Sequence, residues 1–501
     1  MSDSLSRLKT RMAQINCLGQ ATSVLSWDQQ TYMPSGGAAS RAEQIATLSQ
    51  IAHERFTATE TGDLLAQAEA ETQGMDPDSD TVRMLQNIRR KYDRETKLPA
   101  DLVIELARHS SLAQEIWQQA RKDNAFAAFL PALEKMFALI REAAQHLGYQ
   151  EHIYDPLIDL HETGMTQARV AAMFNELKPE LIALTRAIAE SSHKADDSPL
   201  HGDFPVAKQA ELTLKFVQAL GYSLERGRQD IAPHPFCTHF SRDDVRITTR
   251  FDPTFLPMAV YASLHEAGHA LYEQGSPPEY EGTALAGGTS LGVHESQSRL
   301  WENLVGRSRE FCVWAYPQLQ AAFPSALGGV SLDAYYRAIN RVEPSLIRVE
   351  ADEVTYNLHI LLRFELECDL LTGSLAVADL PAAWNAKMQE YLGVTPPTDA
   401  DGVLQDVHWS GGLIGYFPTY SIGNLLSGQL WQTIRTALPD LNAQMERGEF
   451  APLLDWLRRN VHGYGSKYLP NELTVKATGA PLSSKPYLAY LKAKFNALYG
   501  L

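Results

Sequence analysis

The stretch SLHEAGHALYEQG, residues 263–275, places two histidines and a glutamate within five consecutive positions. If the stretch is helical, His265 and His269 lie about 40° apart on one face, because each residue turns about 100°. Two imidazole nitrogens so placed can bind one zinc ion. Glu266 lies about 60° from His269, which suits contact with a metal-bound water better than metal ligation.

The residues around this motif, VYASLHEAGHALYEQ, continue an amphipathic helical pattern. A string H-E-x-x-H also occurs by chance, but the helical context favours a metal site. Gly268 costs about 1 kcal/mol relative to alanine inside a helix. We therefore expect another segment to pack very close to Gly268.

A catalytic zinc site needs a third protein ligand and an open position for water. The segment LGVHESQSRLWENLVG, residues 291–306, is helical in pattern and contains the candidates. His294 and Glu295 are adjacent, so only one of them can face the metal. Glu295 shares its helical face with Ser298 and Glu302, which fits a buried polar site. Spacing alone does not separate this hypothesis from an ordinary solvated carboxylate.

Composition limits the class of protein. The 501 residues include 44 Lys and Arg against 60 Asp and Glu, a net charge of −16, which argues against a nucleic-acid partner. No apolar run reaches the length of a membrane span, and the amino terminus lacks the apolar core of a signal peptide. Four widely spaced cysteines favour reduced thiols. We expect a cytoplasmic protein with no membrane partner.

Helical periodicity dominates the chain. Apolar residues recur at helical spacing in residues 41–56, 99–122, 131–148, 166–192 and 333–371, with Pro344 starting or kinking a helix in the last. Strand-like alternation is clearest in DVRITTRF (244–251), with HPFCTHF (234–240) as a possible partner. The prediction is a mainly α protein, one large helical domain over residues 1–501 with a small sheet.

Several further segments, in this order and spacing, resemble the carboxypeptidase Taq family of H-E-x-x-H zinc metallocarboxypeptidases. The matching stretches are WDQQTYMPSGGAASRAEQIATL (27–48), DVRITTRF (244–251), HEAGH (265–269), HESQ (294–297), IRVEAD (347–352) and GVLQDVHW (402–409). One stretch departs from the family pattern D-H-P-F, because Pro233 stands where aspartate is expected, before His234. The contribution of that aspartate to the edge of the cleft is therefore in doubt.

The resemblance implies a set of site residues. His265, His269 and Glu295 would be the ligands of one Zn²⁺ per chain, with Co²⁺ or Mn²⁺ as substitutes, since this donor set suits several divalent ions. Glu266 would be the general base.

Further residues are assigned by similarity. His408 and Tyr420 would stabilise the oxyanion, as a His and a Tyr do in related H-E-x-x-H peptidases; the alternative is a packed loop. Arg348 would bind the terminal carboxylate of the substrate or pair with Asp352. His234 is the last substrate-binding candidate.

The family fold is mostly helical, with a long, deep central groove and a small sheet beside the zinc helix, as in gluzincins. The zinc core would span about residues 230–425, with helical lobes on either side of the groove. The strand 244–251 would either pair with an extended peptide or be an ordinary edge strand.

The resemblance implies removal of C-terminal residues from peptides with broad specificity, by a protein that forms homodimers. An H-E-x-x-H endopeptidase or oligopeptidase, which needs no free C-terminus, is the alternative. A catalytically silent scaffold is disfavoured by the presence of Glu266.

Overall fold

The structure, a computed structural model, describes residues 3–501. Helices dominate the described chain, as predicted. Their bounds are α1 Asp3–Thr31, α2 Ala38–Thr57, α3 Thr59–Glu71, α4 Asp80–Lys97, α5 Ala100–Lys122, α6 Phe126–Leu147, α7 Asp155–Asp159, α8 Gln167–Glu190, α9 Val206–Ala219, α10 Leu256–Gln274, α11 Leu291–Arg299, α12 Arg309–Ala322, α13 Pro324–Leu327, α14 Leu332–Ile339, α15 Tyr356–Thr372, α16 Leu380–Leu392, α17 Pro418–Ala437, α18 Leu441–Glu446, α19 Ala451–Asn460, α20 Pro470–Thr478 and α21 Lys485–Tyr499.

A small sheet of three strands lies against the helix that contains the two motif histidines. Its strands are β1 Gln229–Ile231, β2 Cys237–Ser241 and β3 Asp244–Thr249, in the order β1-β3-β2. β2 pairs antiparallel with β3, which confirms the predicted pairing of these two segments. β1, which was not predicted from the sequence, pairs parallel with β3. α10 packs against both β2 and β3, so the expected sheet beside the motif helix is confirmed.

The position of β3 corrects one expectation. β3 is the central strand and is paired on both sides, so it is not an edge strand that could accept an extended peptide. Its residues Val245, Ile247, Thr248 and Thr249 are buried. A β-strand has only two hydrogen-bonding edges, and here both are used within the sheet.

The predicted helix over residues 333–371 is interrupted. α14 ends at Ile339 and α15 begins only at Tyr356. Pro344 cannot donate a backbone hydrogen bond to a continuing helix. After it, the Asp352 carboxylate accepts from the backbone N–H groups of Val354 and Thr355, a local turn that ends the irregular segment.

The described residues form two compact units. The first consists of the chain up to Thr96 with Asp197–Ile339 and Leu430–Pro481, and the second of Lys97–Asp196, Asn340–Gln429 and Leu482–Leu501. The first contains a cluster of buried apolar side chains: Leu5, Leu8, Phe56, Leu64, Leu65, Ala68, Met84, Leu85, Ile88, Tyr280 and Leu285. In the second, α15 is buried along nearly its whole length. A single domain over residues 1–501 with a deep central groove stays a prediction.

Among residues 3–501, no helix combines the length and apolar character that crossing a membrane requires.

A candidate metal centre and a buried arginine cluster

Three side chains of the first unit converge on one point. The Nε2 atoms of His265 and His269, on α10, each lie 3.6 Å from Oε2 of Glu295, on α11. One donor atom from each residue lies within 4.8 Å of the other two. Tetrahedral donors at zinc-ligand distances of about 2.0–2.1 Å are about 3.3–3.4 Å apart. The donor spacing therefore fits a single metal ion.

α10 and α11 approach each other closely at Gly268. A Cβ atom added to Gly268 would lie 2.5 Å from the Cα of Ser298 and 2.6 Å from the carbonyl oxygen of Gln297. Real Cβ atoms do not approach backbone so closely, which explains why glycine occupies this helical position and confirms the expected close packing. The contact brings the carboxylate of α11 to the histidines of α10.

His265 is held from behind by a carboxylate. Its Nδ1–H donates to Oε2 of Glu302 at 2.8 Å, which leaves Nε2 free to face Glu295. Glu302 lies in a π-helical turn, Leu300–Val305, that follows α11 directly. Burial raises the pKa of Glu302, but Arg299 and His265 outweigh burial and lower the pKa to about 2.

The charges around His265 suit a cation. Burial lowers the pKa of His265, but Glu295 and Glu302 raise it to about 9. A proton therefore balances the negative charge of these carboxylates when no metal is bound. Metal binding would displace that proton, because a histidine ligand must be neutral. The donor set and its surroundings fit a divalent ion.

His269 is held by another histidine. Its Nδ1 lies 3.1 Å from Nδ1 of His294, and Nε2 of His294 lies 2.5 Å from Oε1 of Glu273. His294, the alternative to Glu295 in the sequence, thus lies behind His269 rather than among the converging donors. Burial lowers the pKa of His269 well below its usual value, so the ring is neutral, the form that binds metals.

Glu266 lies beside this group with one oxygen unused. Its side chain is buried, and within residues 3–501 its Oε2 has no hydrogen-bond partner. Burial raises the pKa of Glu266 to about 7, although the nearby charge of His265 lowers it. A carboxyl group that titrates near neutral pH can both accept and return a proton.

Arg348 lies in the second unit, in a short 3₁₀ turn, Arg348–Glu350. Its Nε and Nη2 donate to Oδ1 of Asp406 at 3.1 and 2.9 Å, and its Nη1 donates to the hydroxyl of Tyr356 at 3.1 Å. The predicted ion pair between Arg348 and Asp352 is wrong. The segment is not α-helical, and the guanidinium of Arg348 pairs with Asp406 instead. Asp406 lies 58 residues away, so helical spacing did not reveal it.

Asp406 joins two buried arginines. Its Oδ2 accepts from Nε of Arg363 at 2.7 Å, and Arg363 is fully buried. Burial raises the pKa of Asp406, but Arg363 and Arg348 together hold it far below its usual range. Asp406 belongs to the stretch QDVHW quoted above, which is the one sequence signal that pointed to it.

His408 and Tyr420 also lie in this cluster. Nε2 of His408 is 3.4 Å from the hydroxyl of Tyr420, and the guanidinium of Arg348 lies 5.0 Å from the centre of the Tyr420 ring. Burial lowers the pKa of His408 to about 4, so the ring is neutral at pH 7. The structure thus brings together three of the predicted residues.

His234 belongs to the first unit. It is exposed on the connection between β1 and β2. The neighbouring Pro233 contributes its carbonyl oxygen, which accepts from Arg250 at 3.4 Å. A substrate contact by His234 stays a prediction.

A mostly helical fold, a small sheet beside an H-E-x-x-H helix and a convergent His-His-Glu group define the class of metal-dependent peptide hydrolases. The chain belongs to the carboxypeptidase Taq (M32) metallopeptidase family, whose pattern it matches over residues 7–495. The resemblance read from the motifs is confirmed, and the protein is an enzyme of the carboxypeptidase type.

Relatives of known name match along nearly the whole chain. Thermostable carboxypeptidase 1 of Thermus thermophilus is 45% identical over 493 residues, with 96% of each chain covered. Carboxypeptidase 1 of Bacillus subtilis is 39% identical over 488 residues, with 97% of each covered. The crystal structure of the M32 carboxypeptidase from Deinococcus radiodurans R1 covers 100% of both chains at 41% identity, with a TM-score of 0.97.

Proposed function

We propose that this protein is a zinc-dependent metallocarboxypeptidase that removes residues of many types from the free C-terminus of peptides. The observation that carries the proposal is the convergence of His265, His269 and Glu295 beside the buried carboxylate of Glu266. These three residues would hold the zinc ion, and Co²⁺ or Mn²⁺ would fit the same donors. We further infer a cytoplasmic enzyme that forms homodimers, as the family resemblance implies.

Zinc, when bound, supplies Lewis-acid activation of water and of the scissile carbonyl group. Glu266 acts as general base: its carboxylate takes a proton from the attacking water and passes it to the leaving amine. Its pKa of about 7 in the metal-free protein suits both transfers near neutral pH. Glu302 accepts from Nδ1 of His265 and so holds that histidine in the orientation described above.

The arginine cluster supports the exopeptidase assignment. Asp406 engages Nε and Nη2 of the Arg348 guanidinium, and the hydroxyl of Tyr356 accepts from Nη1. A planar guanidinium held in this way can pair with a carboxylate through two N–H groups, and we assign Arg348 the terminal carboxylate of the substrate. Neutral His408 and Tyr420 carry N–H and O–H donors and are assigned to the oxyanion.

The test is mass spectrometry of an N-acetylated peptide of ten or so residues, incubated with zinc-loaded protein beside its C-amidated twin. We expect a ladder of single-residue losses from the free C-terminus, and no such ladder from the amidated peptide. Internal cuts in both peptides would replace the proposal with an endopeptidase or oligopeptidase, and Arg348 would then be a structural partner of Asp406. No cleavage of either peptide would contradict both functions.

A further inference from the structure

His294 occupies a position between a metal-binding histidine and a buried carboxylate. Its Nδ1 faces Nδ1 of His269 at 3.1 Å and its Nε2 faces Oε1 of Glu273 at 2.5 Å. Glu273 lies one turn after His269 on the same helix, α10, whereas His294 comes from α11. The imidazole of His294 therefore connects two residues of α10 from the side.

The direction of the two hydrogen bonds follows from their partners. Burial raises the pKa of Glu273, but the hydrogen bond from His294 and the nearby imidazoles lower it to about 2, so the carboxylate only accepts. Nε2 of His294 therefore donates to Oε1 of Glu273, and the facing Nδ1 atoms of His294 and His269 form one hydrogen bond in which His294 accepts. His269 must donate from Nδ1, which leaves the lone pair of its Nε2 directed toward Glu295.

The surrounding backbone is shaped to hold this ring. A Cβ atom on Gly288 would lie 2.4 Å from Cδ2 of His294, so only glycine leaves room for the imidazole there. The ring of Tyr272 also packs against this imidazole, with its centre 4.9 Å from that of His294. The backbone N–H of Gly288 also donates to Oε1 of Glu273 at 3.2 Å, which fixes the carboxylate.

We propose that His294 is a positioning residue for the metal centre: anchored by Glu273, it fixes the tautomer and orientation of His269 and so governs how tightly the metal is held. The inference rests on the proposed metal site. In this role His294 does not bind the metal itself. The two proposed histidine ligands are then oriented by different groups: His265 by the carboxylate of Glu302 and His269 by the imidazole of His294. Groups that orient metal ligands in this way typically change metal affinity 10–100-fold, roughly, when removed.

The test measures zinc affinity by competition with a chromophoric chelator, without substrate. His294→Ala is expected to weaken zinc binding about 10–100-fold. His294→Asn, whose amide oxygen can accept from His269 where Nδ1 did, is expected to recover part of that loss. The visible spectrum of the cobalt-loaded protein should shift in His294→Ala, because His269 is no longer held in one orientation.

His109→Ala is the matched control, since His109 is a buried histidine of the second unit whose Nε2 lies 2.8 Å from a backbone carbonyl. It should lose stability, measured by thermal unfolding of the metal-free protein, and keep wild-type zinc affinity. If His294→Ala does not fold, Glu273→Gln keeps the side-chain shape and should weaken zinc binding about tenfold.

Three results would overturn the proposal. If His294→Ala binds zinc as tightly as the wild type, His294 has no positioning role and the proposed function is unaffected. If His294→Ala does not fold, wild-type zinc affinity in Glu273→Gln leads to the same conclusion. An equal loss of zinc affinity in His109→Ala would show that general destabilisation of the fold is enough to weaken zinc binding. Failure of the wild-type protein to bind zinc would remove both the metal site and the role of His294.

Discussion

Two glutamates lie near the same pair of histidines in opposite environments. Glu295 has both carboxylate oxygens engaged: Oε1 accepts from Arg299 at 2.6 Å and Oε2 accepts from Ser298 at 3.1 Å. Glu266 is equally buried but has an oxygen without a partner, and burial raises its pKa to about 7. Both oxygens of Glu295 thus have donors, whereas desolvation of Glu266 allows that carboxyl group to carry a proton near neutral pH. This contrast favours the division into ligand and general base.

Glu266→Gln tests that division. The amide keeps the shape of the side chain but cannot take a proton, so kcat for the free-C-terminus peptide should fall about 10²–10⁴-fold. Zinc content, measured by elemental analysis, should stay at the wild-type level, because Glu266 is not among the three converging donors. The paired variant Glu302→Gln should instead weaken zinc binding. Wild-type turnover in Glu266→Gln would remove Glu266 from the mechanism.

At the scale of elements, the contact between α10 and α11 matters more than either helix alone. Gly268 allows the close approach, Ser290 caps α11 by accepting from the N–H of Val293 at 3.1 Å, and the π-helical turn follows at Leu300. π-Helical turns are rare in proteins, and those that occur are often found at functional sites. Here the turn carries Glu302 to His265.

Gly268→Ala should disturb this contact. The added methyl group would overlap the backbone of Ser298, and such overpacking costs about 1–3 kcal/mol, more than the gain of about 1 kcal/mol in helix propensity. Thermal unfolding of the metal-free protein and zinc affinity should both decrease.

Gly19→Ala is the control for Gly268→Ala, because Gly19 lies within α1 with no atom within 4 Å of the added Cβ. It should leave zinc affinity unchanged and raise the unfolding temperature slightly. Equal behaviour of the two variants would show that α10 and α11 tolerate a wider separation.

Sequence periodicity predicted the existence of the main helices, and Pro344 marked an interruption after α14, but neither predicted that the break extends from Ile339 to Tyr356. The reason is physical: α15 is buried on nearly all sides, so no polar face marks its beginning. The donors His265 and His269 could be predicted, because they share one helical turn. Asp406, 58 residues from Arg348, could not, because only tertiary packing brings the two together.

At the scale of the whole molecule, the predicted site residues fall into both compact units. The metal donors and Glu266 belong to the first, whereas Arg348, His408 and Tyr420 belong to the second. The chain passes from one unit to the other near the ends of α4 and α14, within α17, and in the loops that follow α8 and α20. Linker composition gave no sign of two units, and a common site of these residues stays a prediction from the order of the motifs along the chain.

The second unit contains a buried carboxyl group that should make stability depend on pH. Glu367 of α15 accepts from the hydroxyl of Tyr154 at 2.7 Å, from the indole N–H of Trp409 at 2.8 Å and from the N–H of Gly415 at 3.2 Å. Burial raises its pKa to about 7, and these three hydrogen bonds only partly oppose the effect. The folded state thus binds a proton that the unfolded chain releases near its usual pKa of 4.5.

Because the pKa is raised on folding, the contribution of Glu367 to stability is fully present below about pH 4.5 and is lost as pH rises through about 7. Glu367→Gln removes this dependence. The free energy of unfolding of the variant, relative to wild type, should therefore increase between pH 5 and pH 8, by at most about 3 kcal/mol. Denaturant unfolding followed by tryptophan fluorescence measures it. Glu105→Gln, at a partly exposed carboxylate whose pKa is lowered by Lys135, is the control and should show no such rise. A constant difference between Glu367→Gln and wild type across this range would mean that Glu367 stays ionised in the folded protein.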